Sequence, residues 1–335
     1  MSTRHASYRI TAALFLGAAL AAAVTACDRD PLAAPRTPTA PSAARSATSP
    51  PIGAGGILFV GTHDESKGEI YRMSADGSRL VRLTSDTLAD FWPHASPDGT
   101  RFTWVHRPPN AVNLDDEVYV ADIDGSHPRA VTRLHTSVYS PRFSPDGTRI
   151  LFTALMPDGT MDLYVVNVDG TGLVNLTNTS ASSEQFASWS PDGARIAFGS
   201  NRVTGHQSIW VMNADGSHVK LLRDCSTGFG CGQVAWSPLG TELVMVTSVD
   251  RDILTIDANT GATTGYIPTD SAEAPKQPDW SSDGRTIVFA SQRGGNGTFD
   301  LWSAAPTRPG DLIPRPAKRL TSIDRGNEHE ATFMR

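Results

Sequence analysis

The common signatures of catalysis are missing from this chain of 335 residues. It has no Gly-x-Ser-x-Gly nucleophile elbow, no His-Glu-x-x-His zinc motif, no Walker-type phosphate loop and no Gly-x-Gly-x-x-Gly loop opening a helix. Each absence argues against one class of enzyme: α/β-hydrolases, zinc metalloproteases, P-loop nucleotide hydrolases and dinucleotide-binding oxidoreductases. We therefore expect no cofactor, and a binding function is favoured over an enzymatic one.

Apolar runs of helical length are also missing after residue 26, and no stretch there shows a helical period. Charged residues make up 19% of the chain and apolar residues 39%, beside 29 glycines and 23 prolines. This composition is typical of an all-β protein rich in turns. A folded region of about 280 residues is large enough to bury apolar seams between several sheets.

Cysteine is scarce, with three residues in the whole chain. Cys225 and Cys231 flank a glycine-containing loop that lets their Cα atoms approach. In an oxidising compartment this spacing favours a disulfide. The alternative is a metal pair, but zinc would need two more ligands and the local sequence offers only Asp224. We predict the disulfide and assign no metal ligands.

The one long apolar stretch lies at the N-terminus. Arg4 and Arg9 precede it, and Val24–Cys27 brings small residues up to a cysteine. This arrangement resembles a bacterial lipoprotein signal, which implies a signal peptide over residues 1–26 and a lipid anchor on Cys27. An ordinary secretory signal with an incidental cysteine is the alternative. With the anchor, the protein is expected in the bacterial cell envelope, either periplasmic or exposed at the surface.

Residues 27–54 are predicted to be a disordered tether. Proline is interspersed there with alanine, serine and threonine, a composition that cannot build a core. Without Arg4 and Arg9 of the signal, 27 basic residues remain against 35 acidic ones, a net charge of −8. This sign argues against nucleic acid or an anionic lipid surface as the partner of the folded part. The membrane is therefore contacted only through the lipid anchor, and we expect a monomer.

A Ser-Pro-Asp-Gly turn recurs through the rest of the chain. Successive copies start 44 to 48 residues apart, the period at which a four-stranded blade repeats in a β-propeller. Serine can hydrogen-bond ahead to the backbone, proline presets φ, and glycine accepts the left-handed conformation that closes a type I turn. Each copy is predicted to join the first two strands of a blade. The copies are Ser96–Gly99, Ser144–Gly147, Ser190–Gly193, Ser237–Gly240 and Ser281–Gly284, with Leu239 and Ser282 as departures.

The remaining repeats predict the other strands of each blade. A third strand of the Ile-Tyr/Trp-Val type leads into a second glycine turn and then into an Arg-Leu-Thr fourth strand, as in Val81–Thr84. Six third strands accompany only five Ser-Pro-Asp-Gly turns, because the first blade begins at Ile57–Val60 with no strand ahead of it. Glu330–Phe333 matches the run that precedes the turn elsewhere. We predict that it pairs with Ile57–Val60 and closes a six-bladed ring.

This alternation of (Phe/Trp)-Ser-Pro-Asp-Gly, Ile-Tyr/Trp-Val-Met, Ala-Asp-Gly and Arg-Leu-Thr resembles the repeat of TolB-type β-propellers. The resemblance implies an all-β fold, a six-bladed β-propeller of four-stranded antiparallel blades. TolB itself carries an α/β domain ahead of its propeller, and residues 1–54 are not expected to form one. The predicted organisation is a signal peptide over residues 1–26, a tether over residues 27–54 and the propeller over residues 55–335.

Residues that enter the innermost strands are expected to converge at the mouth of the central channel. They mix polar and aromatic side chains, and a concave site of this kind suits recognition of a peptide or a sugar. Packing of blade on blade is the alternative use for each of them. The candidate binding residues are Trp92, His94, Tyr139, Arg142, Gln185, Gln233, Gln277, Asp279, His329 and Glu330.

Two functions from different classes fit these residues. In the favoured one, a lipoprotein binds an envelope protein or peptide through the channel mouth without catalysis. In the alternative, His94, His329 and nearby carboxylates hold a divalent ion for a hydrolase or lyase that acts on saccharides or lactones in the channel. A purely architectural envelope component is a third possibility, in which the mouth would be dispensable.

Overall fold

The computed structural model describes residues 55–334 except for residues 63–66, 87, 108–114, 204, 227–229, 248–251, 270–272, 295–296, 312 and 322–326. These residues form six antiparallel sheets of four strands each, and no α-helix occurs among them. The six-bladed, all-β propeller expected from the repeats is confirmed. In this part of the chain no helix has the length and apolar character needed to cross a membrane. The predicted signal peptide, tether and lipidation site at Cys27 lie outside the described residues.

Each blade runs from an inner strand at the channel to an outer strand at the rim. Blade 1 consists of β24 (Glu328–Phe333), β1 (Ile57–Gly61), β2 (Glu69–Met73) and β3 (Val81–Arg82). Blade 2 consists of β4 (Ala89–Ala95), β5 (Arg101–Arg107), β6 (Glu117–Asp122) and β7 (Arg129–Ala130). Blade 3 consists of β8 (Val138–Phe143), β9 (Arg149–Leu155), β10 (Met161–Asn167) and β11 (Val174–Asn175).

The other three blades repeat this order. Blade 4 consists of β12 (Glu184–Trp189), β13 (Arg195–Ser200), β14 (Ser208–Asn213) and β15 (Lys220–Arg223). Blade 5 consists of β16 (Cys231–Trp236), β17 (Glu242–Thr247), β18 (Ile253–Asp257) and β19 (Thr263–Ile267). Blade 6 consists of β20 (Lys276–Trp280), β21 (Ile287–Ser291), β22 (Asp300–Ala304) and β23 (Lys318–Arg319).

The Ser-Pro-Asp-Gly turn closes the hairpin between the first two strands of a blade. In the first copy, the Gly99 amide donates to the Ser96 carbonyl oxygen at 2.9 Å, and Gly99 has a φ of 67°. The Ser96 hydroxyl donates to Asp98 Oδ1 at 2.6 Å and accepts from the Arg101 amide at 2.9 Å. The hydrogen bond from Ser96 lowers the pKa of the Asp98 carboxyl to about 2. The predicted turn chemistry is confirmed.

The fourth turn lacks this carboxylate, because Leu239 stands at the aspartate position. Leu239 is 66% exposed, and the buried Ser237 hydroxyl has no hydrogen-bond partner among the described residues. Aspartate at this position would give that hydroxyl an acceptor. We therefore expect Leu239→Asp to raise the free energy of unfolding by about 1 kcal/mol, measured by urea denaturation at pH 7. Leu239→Ala is the control, since it removes leucine without adding an acceptor; equal stability of the two variants would contradict the prediction.

In blades 1, 3 and 6 the outer strand has two residues, and it is shorter than the four- or five-residue segment that the sequence predicts. In blade 1, pairing with β2 is limited to Val81 and Arg82. The Thr84 hydroxyl then replaces the backbone ladder, since it accepts from the Ile70 amide at 2.9 Å and donates to Glu69 Oε2 at 2.8 Å. This bridge explains why threonine ends the Arg-Leu-Thr repeat. The same acceptor role is taken by Thr132 for the Val118 amide, Thr177 for Leu163 and Thr321 for Leu301.

The second glycine turn forms a contact between blades. Gly77 of blade 1 has a φ of 89°, and a Cβ atom there would lie 2.2 Å from the Leu320 carbonyl oxygen of blade 6. Only glycine satisfies both the left-handed conformation and this close approach. Each of these glycine turns therefore contacts the Arg-Leu-Thr segment, or the equivalent segment, of the preceding blade. The equivalent contacts are Gly125 on Leu83, Gly170 on Val131, Gly216 on Leu176 and Gly261 on Leu222.

The last strand closes the ring as the sequence predicts. β24 pairs antiparallel with β1, with Ile57 opposite Phe333 and Leu58 opposite Thr332. Phe333 packs with Ile57 and Phe59 in the apolar cluster that joins blade 1 to blade 6. The first and last strands therefore share one sheet, in which β24 covers the edge of β1 that faces the channel.

Cys225 and Cys231 form the predicted disulfide, with their Cα atoms 5.9 Å apart. Cys225 follows β15 and Cys231 begins β16. The bridge therefore ties the outer strand of blade 4 to the inner strand of blade 5, and it restricts the crossing between them.

Candidate binding site at the channel mouth

Every inner strand is interrupted by a β-bulge. The pairing register shifts by one residue there, for example between Phe91 and His94 in β4 and between Tyr139 and Arg142 in β8. At each bulge one non-glycine residue adopts a left-handed conformation, with φ between 50° and 57°. Such bulges re-aim side chains, and each left-handed residue costs of order 1–2 kcal/mol. The six residues, named the bulge ring, are Trp92, Ser140, Phe186, Gln233, Gln277 and Glu330.

Four of the six bulge-ring residues are connected by hydrogen bonds from backbone to side chain. The Trp92 amide donates to Glu330 Oε2 at 2.5 Å, and the Glu330 amide donates to Gln277 Oε1 at 3.0 Å. The Gln277 amide in turn donates to Gln233 Oε1 at 2.9 Å. Each acceptor belongs to the bulge residue of the preceding blade, so long side chains with a terminal oxygen satisfy the bulge amides. Blades 5, 6, 1 and 2 are thereby tied together around the channel.

Another part of the bulge ring is aromatic. The Trp92 and Phe186 rings have centroids 5.9 Å apart, although they belong to blades 2 and 4. Blade 3, between them, has the small residue Ser140 at this position, which leaves room for the two rings to meet. Both aromatic side chains are partly exposed. They present an apolar surface against which a ligand can pack.

Two residues after the bulge position, opposite charges on two inner strands face each other. Arg142 Nη1 of blade 3 lies 3.8 Å from Asp279 Oδ1 of blade 6. The Asp279 side chain is nearly buried, and its Oδ2 accepts a hydrogen bond from the Thr332 hydroxyl. Since blades 3 and 6 stand on opposite sides of a six-bladed ring, the ion pair spans the channel and narrows it.

The channel is too narrow at this level for a small-molecule ligand. Residues of the bulge ring, together with Arg142 and His94, line a cavity of about 40 Å³. Such a volume has room for a few water molecules, whereas typical small-molecule sites measure about 300–1,000 Å³. A larger ligand can contact the mouth from outside, but it enters the channel only if side chains move.

Six of the ten predicted site residues line this cavity, and a seventh reaches it indirectly. Asp279 takes part through its ion pair with Arg142. Tyr139, Gln185 and His329 each stand one position ahead of a bulge residue and are not among the lining residues. The sequence analysis did not select Ser140 and Phe186, which line the cavity at bulge positions. The predicted residues at the cavity are Trp92, His94, Arg142, Gln233, Gln277 and Glu330.

His94 and His329 are engaged in contacts other than metal ligation. His94 Nδ1 accepts a hydrogen bond from the Phe143 amide at 3.3 Å, and His329 Nδ1 lies 3.5 Å from Glu330 Oε1. Within the described ranges, neither histidine belongs to a group of three metal-ligating side chains. The geometry therefore gives no support to a metal ion held by these two histidines.

The fold and this mouth define a closed six-bladed β-propeller with a candidate binding face at one end of its channel. A sequence profile of the TolB beta propeller domain matches residues 54–228, slightly more than half of the chain. The chain therefore belongs to the TolB β-propeller family, as the repeats indicated. No curated protein matches the chain.

Solved structures with the same fold are distant in sequence. TolB from Acinetobacter baumannii is 21% identical with a TM-score of 0.66, over 85% of this chain and 68% of that one. A nidogen/laminin complex gives 13% identity and a TM-score of 0.65, over 84% of this chain and 98% of that one. Oligogalacturonate lyase from Vibrio parahaemolyticus gives 13% identity and a TM-score of 0.51, over 71% of this chain and 72% of that one. At these identities the similarity shows the fold alone.

Proposed function

We propose that this protein is a membrane-anchored lipoprotein of the bacterial cell envelope whose propeller binds a protein or peptide partner at the channel mouth, without catalysis. The main support for this binding face is the Trp92–Phe186 aromatic pair, which lies close to the Arg142–Asp279 ion pair. Bulged inner strands hold both pairs. Tryptophan and arginine are the residue types that most often dominate binding energy in protein interfaces. Rigid positioning reduces the entropy lost on binding.

The size of the channel favours a macromolecular partner over a saccharide substrate. A cavity of about 40 Å³ cannot hold a sugar ring, whereas a protein surface needs only the exposed part of the mouth. This size supports the binding function over the hydrolase or lyase alternative.

Membrane attachment through Cys27 can be tested directly. Cys27→Ser removes the thiol that would carry the lipid, so we expect the protein to move from the membrane fraction to the soluble fraction. Fractionation of cells that express each form, followed by immunoblotting, measures the change. The double variant Cys225→Ser/Cys231→Ser is the control, because it removes the disulfide and leaves the anchor. A Cys27→Ser protein that stays with the membrane would contradict the anchor.

Crosslinking in intact cells tests the binding face. A photoreactive amino acid replaces Lys276, which is exposed and begins β20 one residue before the bulge. We expect a discrete protein adduct from this position, reduced at least about tenfold by Trp92→Ala, since a dominant interface residue contributes about 2 kcal/mol or more. Arg142→Gln should reduce it as well. Glutamine is chosen because glutamate would place a second carboxylate next to Asp279.

The matched control places the same photoreactive residue at Leu239, which is exposed in the turn at the far end of an inner strand. This position should give no adduct of the same mass. Circular dichroism must show that both mouth variants keep the fold, because Trp92 also packs against an apolar cluster. An adduct that forms equally from both positions, or that survives both substitutions, would overturn the proposal.

A further inference from the structure

A cluster of two carboxylates and one imidazole lies at one end of the seam between blades 1 and 2. Asp86 is in the loop between β3 and β4, Asp90 is in β4, and His106 is near the end of β5. One potential ligand atom from each of the three lies within 4.8 Å of the others. None of the three lines the channel cavity. The cluster is therefore distinct from the proposed binding face.

Asp90 orients the imidazole. Its side chain is completely buried, and its Oδ1 accepts a hydrogen bond from Trp104 Nε1 at 2.9 Å. The same oxygen lies 2.7 Å from His106 Nδ1. Because an ionised carboxylate can only accept, Nδ1 must carry the proton that forms this bond. In the neutral imidazole, the lone pair is then on Nε2.

The lone pair of His106 Nε2 faces a second carboxylate. Nε2 lies 4.0 Å from Asp86 Oδ2, which is too long for a hydrogen bond. The other oxygen of Asp86, Oδ1, accepts from the Leu88 amide at 2.8 Å and so fixes the carboxylate. Two electron-rich atoms that face each other are stabilised by a proton or a cation between them. A tetrahedral metal ion with ligand distances of about 2.0–2.2 Å would hold the two atoms about 3.4 Å apart, so an approach of roughly 0.6 Å from the 4.0 Å separation would complete its contacts.

The surroundings hold more negative than positive charge. Glu69, 2% exposed, contributes a third carboxylate near Asp90, and Arg82 pairs with Glu69 at 2.8 Å. With His106 neutral, Asp86 and Asp90 add two negative charges beside the Arg82–Glu69 pair. The buried Asp90 Oδ2 has no hydrogen-bond partner among the described residues. Burial raises the pKa of Glu69 to about 7, so this part of the seam is poorly solvated.

We propose that His106 and Asp86 bind a divalent transition-metal ion, with Asp90 as the carboxylate that orients the histidine. The ion is held by His106 Nε2 and the carboxylate of Asp86, and water completes its coordination. A mixed nitrogen and oxygen donor set suits Zn²⁺ or Mn²⁺ better than Ca²⁺, which prefers oxygen alone. The carboxylate–histidine–metal arrangement is a recurrent one in metal sites. Asp86 is partly exposed, so the ion can enter from solvent.

Calorimetric titration of the purified, chelator-treated protein with Zn²⁺, and separately with Mn²⁺, tests the proposal. We expect one saturable site in the wild type, which is lost in His106→Gln. Asp90→Asn should weaken binding about 10- to 100-fold, the usual effect of removing a carboxylate that orients a metal-bound histidine. Asp86→Asn should also weaken binding, and its partial exposure makes it the variant least disruptive to folding.

His127→Gln provides the matched control. His127 Nδ1 lies 2.7 Å from Asp122 Oδ2, which is the same imidazole–carboxylate contact, but the pair is exposed at the surface. Its substitution should leave the affinity unchanged. A second readout is thermal unfolding, in which the ion should raise the transition temperature of the wild type and not of Asp86→Asn.

The opposite results would overturn the metal site. If the wild type binds neither ion, or if Asp86→Asn and His106→Gln titrate like the wild type, no ion bridges these residues. His106 is then an imidazolium held between two carboxylates. Titration of its ring by NMR would show this state as a pKa above the ordinary range, unaffected by added metal.

Discussion

Deletion of residues 328–335 should abolish the cooperative unfolding of the propeller. The deletion removes β24, so that β1 loses its partner strand and the cluster between blades 1 and 6 loses Ala331 and Phe333. It also removes Glu330, the acceptor for the Trp92 amide. Each buried apolar side chain contributes about 1.5–3 kcal/mol, against a total stability of about 5–15 kcal/mol. Loss of Phe333, of the pairing with β1 and of the Glu330 acceptor together therefore removes a large share of this total. Circular dichroism during heating should show no sharp transition.

A rearranged chain tests whether the fold needs strand β24 itself or needs it at the C-terminal end of the sequence. Residues 328–334 are moved to stand directly ahead of Gly55, so that β24 leads into β1 through a tight connection. The structure suits this, because the Met334 amide donates to the Gly56 carbonyl oxygen at 2.6 Å and the Gly55 amide donates to the Met334 carbonyl oxygen at 2.9 Å. We expect this chain to unfold cooperatively. A truncated protein with an unchanged transition would refute the closure mechanism.

Gly77→Ala should destabilise the propeller more than any other single glycine-to-alanine change at a turn of blade 1. Two costs combine there: the residue has a φ of 89°, and the new Cβ would lie 2.2 Å from the Leu320 carbonyl oxygen. The left-handed conformation costs about 1–2 kcal/mol for alanine. Backbone must also move at the contact between blades 1 and 6, so we expect a total of about 3–5 kcal/mol.

Gly159→Ala is the matched control for this substitution. Gly159 has a φ of 86°, nearly the same as that of Gly77, but nothing lies within 4 Å of the Cβ position. It should cost only the conformational part, about 1–2 kcal/mol. Urea denaturation of both variants measures the difference. Equal destabilisation would mean that the contact between blades adds nothing to the conformational cost.

The repeats alone predicted the architecture, because each repeat contains short motifs whose structure depends on interactions between residues close in sequence. A serine, an aspartate and a glycine at fixed offsets specify a hairpin wherever they occur, as the Ser96–Gly99 turn shows. Counting third strands against turns then predicted six blades and the pairing of Glu330–Phe333 with Ile57–Val60. The disulfide between Cys225 and Cys231 followed from spacing over one short loop. Each of these inferences depended on residues close in sequence, or on a count of them.

The lengths of the outer strands were harder to predict, because a side chain competes with the backbone. A run such as Val81–Thr84 has the pattern of a four-residue strand, yet only two residues pair. The Thr84 hydroxyl accepts from the Ile70 amide, fourteen residues away, and ends the ladder. The sequence contains the threonine, but its effect depends on the position of the neighbouring strand.

The candidate site was predicted only in part, and the bulges are the reason. Simple alternation along a strand would place every second residue toward the channel. A bulge inserts one residue and shifts that alternation, so Ser140 and Phe186 line the cavity while Tyr139 and Gln185 do not. The bulge residues share no side-chain type, and none is glycine. Residue type therefore does not mark them, although in blades 2 to 6 the bulge residue always stands four positions ahead of the serine that opens the turn.

By itself, the sequence determined the number of blades, their strand order, the closing strand and the disulfide, since these depend on turns and spacings that each segment carries independently. Only the tertiary structure decided which side chains meet at the mouth, because the bulge ring is assembled from six segments more than 40 residues apart. The bond from the Trp92 amide to Glu330 spans 238 positions of the chain and exists only once the ring is closed.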